Sequence, residues 1–246
     1  MRLTVVGSAS AWTRRPGHAS SCYLVEDGVH AIVLDLGQGA FSELSRYREP
    51  ATLDAVLASH LHPDHFVDLV PLRHYLKYEA KQTGRLEIHG PAELAARLDG
   101  LFAEPGFLAS MRVAALQPGT RDVATLSVDA RHVTHIPDSY AFRLSTTSGP
   151  GLVYSGDCGV ADDLLPLIQP GDVVLCEAAY GAGPAQDPIH LNAAAAATVA
   201  ARAGASRLLM THLLDRADHA AAVAVASEIF GADVEVAEPG LQVEIG

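Results

Sequence analysis

The sequence predicts an α/β protein: an αββα sandwich in which two mixed β-sheets pack face to face and helices flank them. The N-terminal third is rich in strands, and strands then alternate with helical segments, which together indicate two layers of sheet covered by helices. In addition, several apolar strands end on a histidine or an acidic residue, as expected where side chains meet at one edge of a sheet. The length of 246 residues fits a single domain, residues 1–246, with a large buried core.

Three short strands open the chain, with the sequences RLTVVGS, SSCYLVEDG and HAIVLDLG. A helix is expected near GAFSELSRY, then the strand DAVLASH, and then a helix over residues 66–82 in which Pro71 would kink or delay the helix. Further strands are predicted at RLEIHG, TLSVDARHVTH, YAFRLST, GLVYSGD and DVVLCEA. The chain closes with the helix NAAAAATVAARAG, the strand SRLLMTH, a helix near 218–230, and the strand-like segments DVEVAEP and LQVEI.

Composition limits the classes of function. Hydrophobic residues make up 49% of the chain and charged residues 19%, as in folded globular proteins. There is no apolar run of 18 or more residues and no basic leader before an apolar region, so we expect a soluble, cytoplasmic protein with no membrane partner. The net charge of −12 argues against broad electrostatic capture of nucleic acid, although metal ions can dominate the field of a small pocket.

The segment SHLHPDH, residues 59–65, carries the strongest chemical signal. Its side chains His60, His62, Asp64 and His65 form the pattern H-x-H-x-D-H where an apolar strand stops. A tight turn there can aim the first two side chains at one ion and the last two at a second. Imidazole and carboxylate donors favour zinc, with manganese and iron as alternatives. Three further candidate ligands stand at predicted strand ends, namely His135, Asp157 and His212.

The order of these seven residues resembles that of the metallo-β-lactamase superfamily, over nearly the whole chain from VVGSAS to MTHLLD. The resemblance implies two divalent ions, one bound by His60, His62 and His135 and the other by Asp64, His65 and His212. Asp157 would bridge the two ions, and Asp35 would lie close to them. A homodimer is expected because related enzymes often form one.

The residue at position 62 favours hydrolysis over redox chemistry. Flavin-linked di-iron oxidoreductases of this fold usually carry a glutamate where this chain has His62, and a second neutral imidazole suits redox-inert zinc better. Two ions roughly 3.5–4 Å apart can hold a hydroxide between them and clamp the attacking and leaving oxygens of an in-line displacement. The sequence therefore predicts a dinuclear hydrolase.

Two later segments, CEAAYG at 176–181 and HLNAAAAATVAARAG at 190–204, resemble segments that precede the last ligand in ribonuclease Z-like enzymes. The resemblance makes Glu177 and His190 candidates for handling protons beside the metals, with His190 as the general acid for the leaving alkoxide. Glu177 could equally orient a ligating histidine. The candidate catalytic residues are therefore Asp64, Glu177 and His190.

Ribonuclease Z also carries a tRNA-gripping arm, typically between the positions that match His135 and Asp157. Here only IPDSYAFRLSTTSGPGLVYSG separates them, enough for two strands and a turn. The expected substrate is therefore a small phosphodiester, such as a 3′,5′-cyclic nucleotide attacked by metal-bound hydroxide, rather than tRNA. The chain is similar in this to compact cyclic-nucleotide phosphodiesterases of the superfamily. A thioesterase or lactonase, a ribonuclease Z-like nuclease and a non-catalytic metal-binding sensor are the alternatives. The segment 98–111 is expected to form a lid or a dimer contact.

Overall fold

The computed structural model describes residues 1–146 and 149–246, and these residues form two seven-stranded sheets. The first sheet takes the strands β1 (Arg2–Gly7), β2 (Cys22–Asp27), β3 (His30–Leu34), β4 (Ala55–Leu57), β5 (Glu87–Gly90) and β6 (Arg112–Ala115). The second takes β7 (Gly119–Val123), β8 (Leu126–His132), β9 (Tyr140–Ser145), β10 (Leu152–Tyr154), β11 (Val173–Glu177), β12 (Arg207–Thr211) and β13 (Glu235–Val236). The last strand, β14 (Gln242–Glu244), returns to the first sheet and pairs with β1.

Both sheets are mixed, and in each, apart from the pairing of β14 with β1, the antiparallel strand pairs come before the parallel ones along the chain. In the first, β1 to β3 pair antiparallel and β3 to β6 pair parallel. In the second, β7 to β10 pair antiparallel and β10 to β13 pair parallel. Except for His135, which follows the antiparallel strand β8, the candidate ligands follow strands of these parallel parts, where the carboxyl ends of neighbouring strands lie side by side.

Helices cover the outer face of each sheet, so the predicted αββα sandwich is confirmed. The first sheet carries α1 (Ala40–Leu44), α2 (Pro63–Phe66), α3 (Leu69–His74) and α4 (Leu94–Phe102), and the second carries α5 (Ala193–Arg202) and α6 (His219–Phe230). Strand β4 shows how the layers form, because successive side chains point to opposite faces. Val56 packs under the helices, while Ala55 and Leu57 pack between the sheets. Burial on both faces explains the uninterrupted apolar strand sequences.

The helix predicted over residues 66–82 is divided. Pro63 begins α2 three residues earlier than expected, and α3 continues as a π-helical turn, Tyr75–Glu79. Pro71 lies in the first turn of α3, where a missing backbone N–H removes no intrahelical hydrogen bond, so it is accommodated without a break.

The region between β5 and β8 contains three elements that the sequence patterns did not predict, namely α4, β6 and β7. Within the segment 98–111, Leu98, Phe107, Leu108 and Met111 are buried against the helix-covered face of the first sheet, whereas Leu101 is 60% exposed. A lid or dimer role for this segment stays a prediction.

No helix within the described residues is long and apolar enough to span a membrane.

Candidate metal centre

The residues of the SHLHPDH segment reach the site through a short loop and the first turn of a helix. Strand β4 ends at Leu57, and the chain then presents His60 before α2 begins at Pro63. Proline suits this first helical position because it needs no N–H donor there. Asp64 and His65 follow within α2, and both are buried. The turn thus separates the four side chains into two pairs, as the spacing predicted.

One group of donors consists of His60, His62, His135 and Asp157, whose donor atoms lie within 4.8 Å of one another. His135 Nε2 is 3.1 Å from His62 Nδ1. Asp157 Oδ2 is 3.6 Å from His60 Nε2 and 3.7 Å from His135 Nε2. These separations leave room for a cation to be contacted by all four side chains.

The second group consists of Asp64, His65, Asp157 and His212, again with donor atoms within 4.8 Å of one another. His212 Nε2 lies 3.2 Å from Asp64 Oδ2 and 3.5 Å from Asp157 Oδ1. His65 Nε2 lies 3.4 Å from each of the same two carboxylates. Asp157 therefore offers Oδ2 to the first group and Oδ1 to the second. The structure brings all seven predicted ligands together, and their binding of two ions stays a prediction.

Unpaired buried atoms test whether these groups suit a metal. His60 Nε2, His65 Nε2 and Asp157 Oδ1 are buried and have no hydrogen-bond partner among the described residues. A buried polar atom without a partner costs free energy, and native proteins rarely keep several of them together. A cation in the first donor group would satisfy His60 Nε2, and a cation in the second would satisfy His65 Nε2 and Asp157 Oδ1. The donor set of imidazoles and carboxylates fits zinc or a similar first-row divalent ion.

The charge states of five of the seven candidate ligands also suit metal binding. Burial lowers the pKa of His60, His62 and His135, so these imidazoles are neutral and have a free lone pair. For Asp64 and Asp157, burial opposes ionisation, but the neighbouring histidines hold both pKa values well below the ordinary range. Neutral imidazole and ionised carboxylate are the forms that bind metal ions.

Asp35, at the end of β3, holds the ring of His65. Its Oδ2 lies 2.7 Å from His65 Nδ1, so that Nε2 of the same ring faces the donor cluster. The hydroxyls of Tyr154 and Ser59 donate to Oδ2 at 2.6 and 2.7 Å, and the Ser59 backbone N–H donates to Oδ1 at 2.6 Å. Burial would lower the pKa of His65, but the charges of Asp157 and Asp35 raise it well above its ordinary value. This placement agrees with the expectation that Asp35 lies close to the site.

Strained and tightly packed backbone surrounds the same cluster. Asp35 and His212 adopt left-handed conformations, with φ of 57° and 60°, although neither is glycine. Such strain persists where the surrounding structure enforces it, and it is concentrated at functional sites. A Cβ on Gly37 would lie 1.9 Å from the carbonyl oxygen of Asp64, so only glycine lets the two loops approach. The fold therefore constrains the backbone that carries the donor side chains.

His190 and Glu177 lie beside both donor groups. Glu177, at the end of β11, is fully buried, and its Oε1 is 2.9 Å from His190 Nδ1. The backbone N–H groups of Cys158 and Ala179 donate to its two oxygens at 2.9 and 3.2 Å. The ring centroid of His190 is 4.9 Å from that of His135 and 5.5 Å from that of His212, and its side chain is 18% exposed. His190 therefore lies between the buried cluster and solvent.

The pair of His190 and Glu177 is arranged to keep a proton on the imidazole. Burial alone would lower the pKa of His190, but the hydrogen bond and charge of Glu177 raise it to about 9. Burial raises the pKa of Glu177 itself, and the contact with His190 opposes that shift. The backbone N–H of His190 donates to Asp187 Oδ1 at 3.0 Å, which fixes the loop that carries the ring.

Three supporting residues were not predicted from the sequence, namely Ser59, Tyr154 and Asp187. Ser59 lies directly before His60 inside the segment SHLHPDH, and only this position in the sequence could have indicated that it supports the site. Tyr154 belongs to an apolar strand and meets Asp35 from 119 residues away in the chain, a contact that no local pattern encodes.

Two clusters of buried and half-buried histidine and aspartate side chains, between two packed sheets, are typical of a metallo-hydrolase. The sequence pattern of the beta-lactamase superfamily domain matches residues 30–213. The chain belongs to this family, whose fold its two sheets and flanking helices share.

Individual relatives agree with this assignment. An uncharacterised protein of Mycobacterium tuberculosis is 33% identical over 223 residues, covering 87% of this chain and 81% of its own. The probable metallo-hydrolase YhfI of Bacillus subtilis is 28% identical over 250 residues and 98% of both chains. The crystal structure of YhfI, a metallo-beta-lactamase fold protein, superposes with a TM-score of 0.88 and 26% identity over 99% of each chain. Ribonuclease Z 2 of Schizosaccharomyces pombe is 28% identical over 231 residues, 87% of this chain and 34% of that protein.

Proposed function

We propose that this protein is a dinuclear metal-dependent phosphodiesterase that acts on a small phosphodiester such as a 3′,5′-cyclic nucleotide. The observation that carries the proposal is the placement of His190, backed by the buried carboxylate of Glu177, beside both donor groups. His60, His62 and His135 would hold one ion, Asp64, His65 and His212 the other, and Asp157 both. When bound, the two ions would supply Lewis-acid activation of water and of the phosphoryl group.

His190 supplies the proton that the reaction requires. With Nδ1 donating to Glu177 Oε1, Nε2 is the atom that can deliver a proton to the leaving alkoxide. An alkoxide is a poor leaving group, so protonation by a positioned acid accelerates its departure. The pKa of about 9 keeps His190 protonated at neutral pH. Glu177 then acts by fixing the ring and stabilising the charged imidazolium.

Asp64 has a role beside its candidate metal contact. Its carboxylate, whose pKa is held well below the ordinary range by His212 and His65 against the effect of burial, is ionised at all physiological pH values. We propose that this carboxylate orients the attacking water by accepting a hydrogen bond from it. The relationship to a ribonuclease Z supports the same chemistry, since that relative is named for cleavage of RNA, a phosphodiester polymer.

The connection between His135 and Asp157 supports a small substrate rather than tRNA. Strands β9 and β10 account for nine of the intervening residues, and both are buried within the second sheet. The sequence that remains is too short for a projecting arm, and the net charge of −12 offers no broad cationic surface in its place.

The test is hydrolysis of bis(p-nitrophenyl) phosphate and of cyclic AMP by metal-loaded protein, with and without a chelator. We expect turnover of both that the chelator abolishes and added metal restores. His190→Ala should reduce kcat for cyclic AMP by about 10²–10⁴-fold, the usual contribution of a general acid. His30→Ala is the matched control, because His30 lies at the start of β3 and is 39% exposed, outside the donor groups.

The same assay separates the alternatives. A thioesterase or lactonase would cleave a carboxyl derivative at a rate that His190→Ala barely changes, because those leaving groups need less help from an acid. A metal-binding sensor would retain two ions and leave every ester intact. If neither phosphodiester were hydrolysed in a chelator-sensitive reaction, the proposal would be contradicted.

A further inference from the structure

The connection between β1 and β2 is attached to residues next to the donor cluster, and its residues 8–20 are here called the rim loop. At its start, the Ser8 carbonyl accepts a hydrogen bond from the backbone N–H of His212 at 3.1 Å. Further along, the side chain of Gln38 donates to the Ala11 carbonyl at 2.7 Å. Gln38 follows Gly37, which abuts Asp64. The first part of the loop is therefore attached to residues next to two candidate ligands.

A second set of contacts fixes the loop to the chain that follows His212. Thr13 Oγ1 donates to Asp215 Oδ1 at 2.9 Å, and the backbone N–H of Arg14 donates to Asp215 Oδ2 at 2.8 Å. Because Asp215 is three residues beyond His212, these bonds hold the loop close to the second donor group. Residue 12 lies between the two attachment points.

That residue is Trp12, the only tryptophan in the chain. Its side chain is not part of the core, because the residue is 52% exposed. Among the described residues, its indole has no hydrogen bond and no ring partner. Trp12 is a large exposed aromatic side chain on a loop whose hydrogen bonds attach it to His212, Gln38 and Asp215, so it is available to a ligand.

Cations accompany the indole in a chain that is otherwise acidic. The guanidinium of Arg14 is exposed and has no ion pair among the described residues. Arg15 lies 3.7 Å from Asp215 and 3.6 Å from Glu238, so its charge is largely compensated. Arg14 also interacts electrostatically with Asp215, but its exposed guanidinium forms no ion pair among the described residues, so it is the cation next to Trp12 that is suited to a phosphate or to the face of a base.

We propose that Trp12 stacks on the nucleobase of the substrate, with Arg14 beside it, so that the rim loop forms a nucleotide subsite. This inference rests on the proposed phosphodiesterase function, because it assigns a nucleotidyl group to the diester. Aromatic side chains bind bases through their faces, with an effect of about five- to 150-fold in affinity for each stacked base. The subsite distinguishes nucleotides from phosphodiesters that lack a base.

The single tryptophan provides a direct measurement of binding. We expect 5′-AMP to quench or shift Trp12 fluorescence, excited at 295 nm, in the metal-loaded protein. Ribose 5-phosphate, which has the same sugar and phosphate but no base, should have little effect at the same concentrations. Equal responses to the two ligands would overturn the inference, because they would show that only the phosphate is sensed.

Variants give a second measurement. Trp12→Ala should raise KM for cyclic AMP by about tenfold with a smaller change in kcat, and Trp12→Phe should recover part of the loss because it retains an aromatic face. Tyr78→Ala is the matched control, since Tyr78 is also an exposed aromatic residue, at 60%, but lies on the π-helical turn away from the rim loop. An unchanged KM for cyclic AMP in Trp12→Ala would overturn the subsite. So would a Trp12→Ala variant that loses self-association while its KM stays unchanged, because Trp12 would then be a contact between copies of the chain.

The results separate this inference from the proposed function. Turnover of bis(p-nitrophenyl) phosphate without a base-dependent fluorescence change would contradict the subsite and leave the phosphodiesterase intact. A base-dependent change without turnover of any phosphodiester would contradict the phosphodiesterase and support a nucleotide-binding subsite.

Discussion

Asp35 shows how a residue outside the two donor groups can organise the site. Its carboxylate meets His65 at 2.7 Å while accepting hydrogen bonds from Ser59 and Tyr154. Since Tyr154 belongs to the second sheet and Asp35 to the first, the contact also joins the two sheets next to the donor cluster. Carboxylates that bond the distal nitrogen of a ligating histidine fix its orientation and increase its basicity.

Asp35→Asn is therefore expected to weaken metal binding. The amide cannot accept all of the hydrogen bonds that the carboxylate accepts, and His65 loses a charged partner. We expect metal affinity to fall by about 10- to 100-fold, measured by competition with a chromophoric chelator. Asp54→Asn is the control, because Asp54 accepts a backbone N–H from Ala31 far from the cluster. Equal affinities of Asp35→Asn and the wild type would contradict the positioning role of Asp35.

At the scale of elements, a second charged network holds the strands of the second sheet in register. Arg143 on β9 donates to Asp172 from Nε and Nη2 at 2.8 and 2.9 Å, and both side chains are buried. Asp172 also accepts the backbone N–H groups of Gly151 and Gln169 at 2.7 and 2.8 Å. One carboxylate thus ties β9 to the starts of β10 and β11, the two strands that lead to Asp157 and Glu177.

This network predicts a pH dependence of stability. Burial raises the pKa of Asp172, but the bonds from Arg143, Gln169 and Gly151 outweigh it and lower the pKa below its ordinary value of 3.8. A lowered pKa in the folded state stabilises the protein above the pKa of the unfolded chain, and this stabilisation is lost as the pH falls below that value. Denaturant unfolding should show this loss beginning near the unfolded pKa, over about pH 5 to pH 2, with little change between pH 7 and pH 5.

The variant Asp172→Asn isolates this contribution. It leaves the guanidinium of Arg143 buried without its charged partner, so we expect a loss of about 3 kcal/mol in the free energy of unfolding at pH 7. The remaining stability should fall less steeply with acid than that of the wild type. Asp162→Asn, which removes an exposed partner of Arg202, should change little. If the free energy of unfolding of Asp172→Asn depended on pH as that of the wild type does, the stabilising role of this network would be contradicted.

At the scale of the whole molecule, the sequence predicted what depends on local pattern. Apolar runs on strands buried on both faces revealed nearly all the strands that lead to the site, and the spacing within SHLHPDH revealed two pairs of donors. Candidate ligands were recognised from strand ends and family resemblance, although His135 lies three residues beyond the end of β8 at His132. The organisation of residues 1–246 as one domain and a homodimer both stay predictions.

The remaining features depend on contacts between distant segments. Strand β7 was missed because its sequence, GTRDV, is mostly polar, and β6 because it has only four residues, all of them exposed. The hydrogen bond from Tyr154 to Asp35 and the approach of Gly37 to Asp64 arise only when the sheets pack. The rim loop contains Gly, Pro and polar residues, and its attachment to Asp215 spans more than 200 positions. No periodicity in the sequence could have predicted this attachment.

The two halves of the molecule meet at the donor cluster, and Asp157 links them by facing both groups. The central claim is that this cluster is a dinuclear metal centre, and the most direct measurement is the number of metal ions retained per chain after loading with zinc and exhaustive desalting, determined by elemental analysis. We predict two ions per chain in the wild type and fewer in Asp157→Asn, with both proteins folded by circular dichroism. A folded wild-type protein that retains no divalent ion, or only one, would contradict a dinuclear centre.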